Sequence, residues 1–182
     1  MKYFLCLIFI VHFLNNFTFS STYEDIIVWQ ENRPLEWKDF EGLSPKEPGL
    51  KLAVSNIQIA IIGKYYKNVI PEVRVEAQFT KSKSWSITSD NRSLSHEQIH
   101  FDIAELYARK IRKKFDSLRS KKISDSNVYN EVYYNLVFQH GRLQRQFDGE
   151  AYSSVEKENK WKEKVVRKLE SLKDYKLIKD SE

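Results

Sequence analysis

Apolar positions follow two different rhythms along this chain. Up to about residue 88 they alternate with polar ones or run in short β-branched stretches, and from about residue 91 onward they return every three or four positions. The first rhythm predicts strands. "IIVW" reads as a short strand over Ile26–Trp29, followed by a turn at Pro34 and a compact aromatic element carrying Trp37 and Phe40. "LSPKEPG", with two prolines and a glycine, reads as a loop. "LAVSNIQIAII" is predicted to form one long, mostly buried strand. "EVRVEAQF" alternates cleanly, with Val73, Val75, Ala77 and Phe79 on one face and Arg74, Glu76 and Gln78 on the other, the pattern of a half-buried antiparallel strand. "SWSIT" adds a short strand.

The second rhythm predicts three helices. The first is capped by Asn91 or Ser93 and runs to about Leu118, the second spans about Ser126 to Phe147, and the third spans about Ser153 to Leu172. Trp161, Val165, Leu169 and Leu172 make one stripe of the third. The tail "KDYKLIKDSE" reads as loose. Strands first and helices afterwards describe an α+β domain: a small antiparallel sheet in the N-terminal half, then about three helices.

Before the first strand, Lys2 is followed by "YFLCLIFIVHFL" and then by "NNFTFSS". A positive charge, an apolar run of about twelve residues and small polar residues is the layout of a secretory signal peptide, and the run is shorter than the roughly 20 residues a membrane span needs. Cleavage is expected near Ser20 or Ser21, which makes residues 1–20 the signal and 21–182 a single domain with no membrane span, exported to the periplasm or the extracellular space. Cys6 is the only cysteine and leaves with the signal, so any metal site must be built from His, Asp and Glu. The formal charge of +5 is spread among acids except at "KIRKK" and "RSKK", which read as a solvated helix end rather than a nucleic-acid surface.

The chemistry concentrates in "SLSHEQIHFDIAELYARKI". At about 100° per residue, His100 falls about 40° from His96, and Tyr107, Ile111 and Leu118 project within about 60° of it. The two imidazoles thus sit on the face that continues into the core, where each needs a partner. Glu97 lies at the edge of that face. This is the HExxH arrangement, with His96 and His100 as zinc ligands and Glu97 placed to take a proton from water activated by the metal. Asp102 and Glu105 project away, and Glu105 with Arg109 reads as an exposed i, i+4 pair. A catalytic zinc takes three protein ligands. The third must come from downstream, where His140, Asp148 and Glu150 are the candidates.

"HEQIHFDIAELYARKIRK", the upstream "RPLEWKDFEG" and the downstream "FDGEAYSSVEKENKW" together resemble the bacterial secreted family catalogued as domain of unknown function nine hundred and twenty-two, described as zinc-dependent proteases. The resemblance runs from about Ile27 to Leu172. It implies a zincin-like fold, a zinc cofactor, a peptide or protein substrate, and a downstream ligand block matched by Phe147, Asp148 and Glu150. Ala151 stands where that block has a threonine and Ser153 where it has a histidine. On this resemblance Glu150 is the expected third ligand, with Asp148 and then His140 as alternatives. "SWSIT" or "EVRVEAQF" is expected to supply the edge against which a peptide lies extended. The substitution at Ser153 keeps a second reading open: a non-catalytic, zinc-stabilised binding module of the same fold.

Overall fold

The computed structural model describes residues 24–151 and 154–177. The expected signal segment with Cys6, and Tyr152 and Ser153, lie outside the described residues. The chain order is β1 (Ile26–Val28), a 3-10 turn at Trp37–Asp39, β2 (Ala53–Val54), β3 (Ile57–Ile62), β4 (Arg74–Thr80), a 3-10 turn at Lys81–Lys83 and β5 (Trp85–Ser86). The helices α1 (Asn91–Ser120), α2 (Ser126–Ala151) and α3 (Val155–Glu170) follow, with a last 3-10 turn at Lys173–Tyr175. This is an α+β fold. Among the described residues no helix is long and apolar enough to cross a membrane.

β1, β4 and β3 form an antiparallel sheet in that order, with Phe79 paired to Ile27 on one side and to Ile57 on the other. Among the described residues β2 pairs only with β5. The stretch 52–62, expected to be one strand, is therefore two strands in two sheets. The cause is opposite it: the turn at Lys81–Lys83 inserts residues between β4 and β5, so the partner changes register and the strand breaks at Ser55–Asn56. The break is held by polar groups, with Asn56 N–H donating to Ser84 Oγ at 2.8 Å and Thr80 N–H to the Asn56 carbonyl at 2.9 Å.

β4 departs from the half-buried expectation. It is the middle strand, and Glu76 and Gln78 on its polar face are buried along with Val75, Ala77 and Phe79. That face is a hydrogen-bonded ladder: Gln58 donates to Gln78, which donates to Glu76, which pairs with Arg74. The buried side chains of this ladder thus each have a partner.

α1 is capped by Asp90, one residue before Asn91 and three before Ser93, the two expected caps. Asp90 accepts from the Ser93 hydroxyl and from the Ser93 N–H at 2.8 Å, and with a further bond from Thr88 these hold the carboxyl down at about 2. Thirty residues long, α1 is the axis of the fold, packed against the sheet, α2 and α3. Ile99, Phe101, Ile103, Ala104, Leu106, Ala108, Ile111 and Phe115 are all sealed. Burying an aromatic such as Phe101 or Phe115 contributes roughly 1.5–3 kcal/mol.

Encirclement also corrects the expectation for Glu105 and Arg109. They are 1% and 3% exposed, not a solvated pair. Glu105 accepts from Arg109 Nε at 2.9 Å and from both terminal nitrogens of Arg112 at 3.0 and 2.9 Å, while Arg109 and Arg112 also donate to the carbonyls of Leu169 and Tyr175. The residues up to Leu177 are correspondingly docked rather than loose. Arg119, from the second basic run, donates to the carbonyls of Pro71 and Val73, so the cationic stretch is in part an internal clamp.

Candidate metal centre

Two helical stripes meet at the N-terminal end of α1. From α1 come His96 and His100, one turn apart. From α2, running antiparallel beside it, come His140, Gln144 and Asp148 at successive turns. His96 Nε2 lies 3.2 Å from His100 Nε2 and 3.2 Å from Asp148 Oδ1, and His100 Nε2 lies 2.8 Å from the same Asp148 oxygen. The three atoms form a nearly equilateral triangle, and they are the one group of three such ligand-bearing side chains among the described residues. Donors bound tetrahedrally at about 2.0–2.1 Å stand about 3.3 Å apart, so the observed spacing fits a zinc ion with little rearrangement. Two neutral imidazoles and one carboxylate are also the donor chemistry of a catalytic zinc.

Phe147 positions both rings. Its ring stacks on His96 at 4.5 Å and meets His100 edge-on at 4.9 Å, and it is itself backed by Trp161 at 5.6 Å. Electrostatics tie the triad together. Burial favours a neutral His100, but the hydrogen bond and charge of Asp148, with Glu97 and Gln144 behind, raise its pKa above the ordinary value. Burial works against charge on Asp148 too, yet hydrogen bonds from His100 and His96 hold its carboxyl well below the usual carboxylate range.

Glu150, the expected third ligand, stands apart from the two histidines. α2 continues through Gly149 to Ala151 without a break, and residues two apart on a helix lie about 200° apart. Asp148 faces the histidines, so Glu150 faces away, where its oxygens accept from Gln146 Nε2 at 2.8 Å and Trp161 Nε1 at 2.9 Å. His140 faces inward as expected but does not join the triangle: its Nε2 sits 2.8 Å from Gln144 Nε2. Burial, then the nearby His100, lowers its pKa to about 4. Tyr107 is a packing residue with its ring against His140, and Tyr133 donates to the Ile59 carbonyl. Asp102, as the helical projection implies, points elsewhere and accepts from Trp29 and Gln98.

Glu97 is buried beside the triad. Its Oε2 accepts from the Ser55 N–H at 3.1 Å and from the Ser55 hydroxyl, and its Oε1 has no hydrogen-bond partner among the described residues. Glu97, Ser55 and the triad line one cleft of about 780 Å³, walled on the far side by Leu50, Leu52, Ala53 and Val54. Sequence reasoning missed Ser55 and Gln144. Ser55 was visible only as a polar interruption of a β-branched run, and Gln144 only as the residue one turn from both His140 and Asp148.

The strand at the cleft is β2, not one of those expected. β4 is paired on both edges. Just before β2 the Leu52 carbonyl accepts from the Ile87 N–H, and on β2 Val54 pairs with Trp85, so these residues face β5. The Ala53 N–H and carbonyl point to the opposite edge, the edge on which the Ser55 N–H meets Glu97. Set against known proteins, the chain matches no family model, no curated protein and no solved structure, so its resemblance to the family described above rests on the quoted motifs alone.

Proposed function

We propose that this chain is an exported zinc-dependent hydrolase acting on peptide bonds, with His96, His100 and Asp148 as protein ligands and Glu97 as general base. The observation that carries the reading is the convergence of three donor atoms at tetrahedral spacing beside a carboxylate that is held by one oxygen and free at the other. A zinc ion supplies Lewis acidity there and brings the pKa of water it binds to about 7. Ser55 fixes the Glu97 carboxylate through Oε2, leaving Oε1 to accept the proton from the attacking water and pass it to the departing amine. The free edge of β2 supports a peptide as substrate, since the Ala53 N–H and carbonyl can pair with an extended backbone laid along the cleft. Two histidines and a carboxylate also suit ferrous iron. The buried, oriented Glu97 favours hydrolysis, because redox chemistry has no need of a base in that place.

The test is cleavage of a broad peptide library by the zinc-loaded protein, wild type against Glu97→Gln. The variant should keep the fold and about one zinc per chain while losing roughly 10²- to 10⁴-fold in turnover. A zinc-loaded wild type that cleaves nothing in the library would remove the peptidase reading and leave the zinc-stabilised binding module in its place.

A further inference from the structure

We infer that Gln144 is a positioning residue that fixes His100 as its Nδ1–H tautomer, and that His140 locks Gln144 in the orientation required. The inference concerns the same centre as the proposed function and rests on that reading for its purpose, though not for its geometry.

The assignment follows from which atoms can donate. Gln144 Nε2 lies 2.9 Å from the backbone carbonyl of His100, and a carbonyl oxygen only accepts, so the amide presents its NH₂ there. The other end of the same amide, Oε1, then faces His100 Nδ1 at 2.5 Å and can only accept. Nδ1 therefore carries a hydrogen, and Nε2, which donates to Asp148 Oδ1 at 2.8 Å in the metal-free protein, is the nitrogen that faces the triangle shared with His96 and Asp148 and is left to take a metal in place of its hydrogen. Turning the amide over would set NH₂ against Nδ1 and drive the hydrogen to Nε2, where it would occupy the direction a metal needs. The remaining N–H of Gln144 goes to His140 Nε2 at 2.8 Å, which must accept and so carries no hydrogen there. Both N–H groups and the oxygen of one amide are thus used, and a flip would lose or reverse every one of these bonds. The spacing makes it possible: His140, Gln144 and Asp148 stand at i, i+4 and i+8 on α2, so one stripe supplies a lock, an orienting group and a ligand. Groups that orient a metal-binding histidine through its second nitrogen typically govern about 10- to 100-fold in affinity.

The tautomer is read directly from long-range ¹H–¹⁵N correlation spectra of the labelled full chain loaded with zinc, where the ion competes with the hydrogen at Nε2 and Asp148 no longer holds one there. A protonated Nδ1 and an Nε2 without hydrogen are expected. An Nε2–H tautomer in the wild type overturns the inference, and because no substitution is involved this reading stands even if a variant does not fold. Gln144→Leu should mix the tautomers, lower zinc affinity about 10- to 100-fold in competition with a chromophoric chelator, and alter the visible spectrum of the cobalt-substituted protein. Wild-type affinity and tautomer in Gln144→Leu would refute it. His140→Leu should weaken zinc binding less and keep about one ion per chain, and complete loss of the metal would instead make His140 a ligand and overturn the assignment. A wild-type chain that binds no zinc removes the proposed function, whereas a hydrogen-bonded Nδ1–H of His100, present in the metal-free wild type and lost in Gln144→Leu, still decides this inference.

Discussion

Asp148 and Glu150 lie two residues apart and differ in one respect: only Asp148 faces the histidines. Replacing each by alanine therefore separates the geometry from the motif resemblance. A four-ligand zinc site is worth about 10–16 kcal/mol, or roughly 3–4 kcal/mol per ligand, which at about 1.4 kcal/mol per tenfold is two to three powers of ten in affinity. Two features of the structure place Asp148→Ala at the lower end. The Asp148 side chain is 55% exposed, so its charge is partly screened. It also raises the proton affinity of His100 in the metal-free protein, and removing it relieves His100 of a competitor for the metal. A loss of about 100-fold is expected. Glu150→Ala should leave affinity at the wild-type level, because both of its oxygens are taken by Gln146 and Trp161. Chelator competition at one fixed pH, with circular dichroism to check the helices, measures both. A large loss in Glu150→Ala alongside wild-type affinity in Asp148→Ala would refute the reasoning.

Protonation of His100 competes with the metal, and its pKa is raised by Asp148, so zinc affinity should fall as pH drops through that raised value, beginning above the ordinary histidine pKa of about 6.5. Affinity unchanged from pH 8 to pH 5, about the span of such a titration, would contradict this. In the metal-free protein the same pair has the opposite consequence: its stabilisation is complete below the ordinary histidine pKa and is lost as pH rises through the raised one. With Asp148 half in solvent it amounts to no more than about 1 kcal/mol by denaturant titration. Away from the centre, Glu105→Leu strands Arg109 and Arg112 in the interior and should cost about 3–5 kcal/mol in urea unfolding. A cost below about 1 kcal/mol would place the three charges in water.

Periodicity alone determined most of the element order here, because a half-buried strand and an amphipathic helix each write their exposure into a local repeat. The α+β class, the three helices and the inward register of His96 and His100 were legible for that reason. Three features were not, and each depends on what packs against a segment rather than on the segment itself. The run 52–62 carries a continuous strand pattern, yet it breaks at Ser55 because the turn at Lys81–Lys83 shifts its partner, and the break delivers Ser55 to Glu97. Glu105 and Arg109 have the spacing of a solvated pair, but α1 is enclosed by the sheet, α2, α3 and the C-terminal turn, so the pair is internal. Which acid faces the histidines was undecidable along the chain, because Asp148 and Glu150 are equally acidic and equally near the helix end. Only the continuation of α2 through Gly149, and its docking against α1, turned Asp148 toward His96 and His100 and gave Glu150 to Trp161. A local repeat records which face is buried, and a convergent site needs in addition the rotation of one helix against another, which only the packed structure sets.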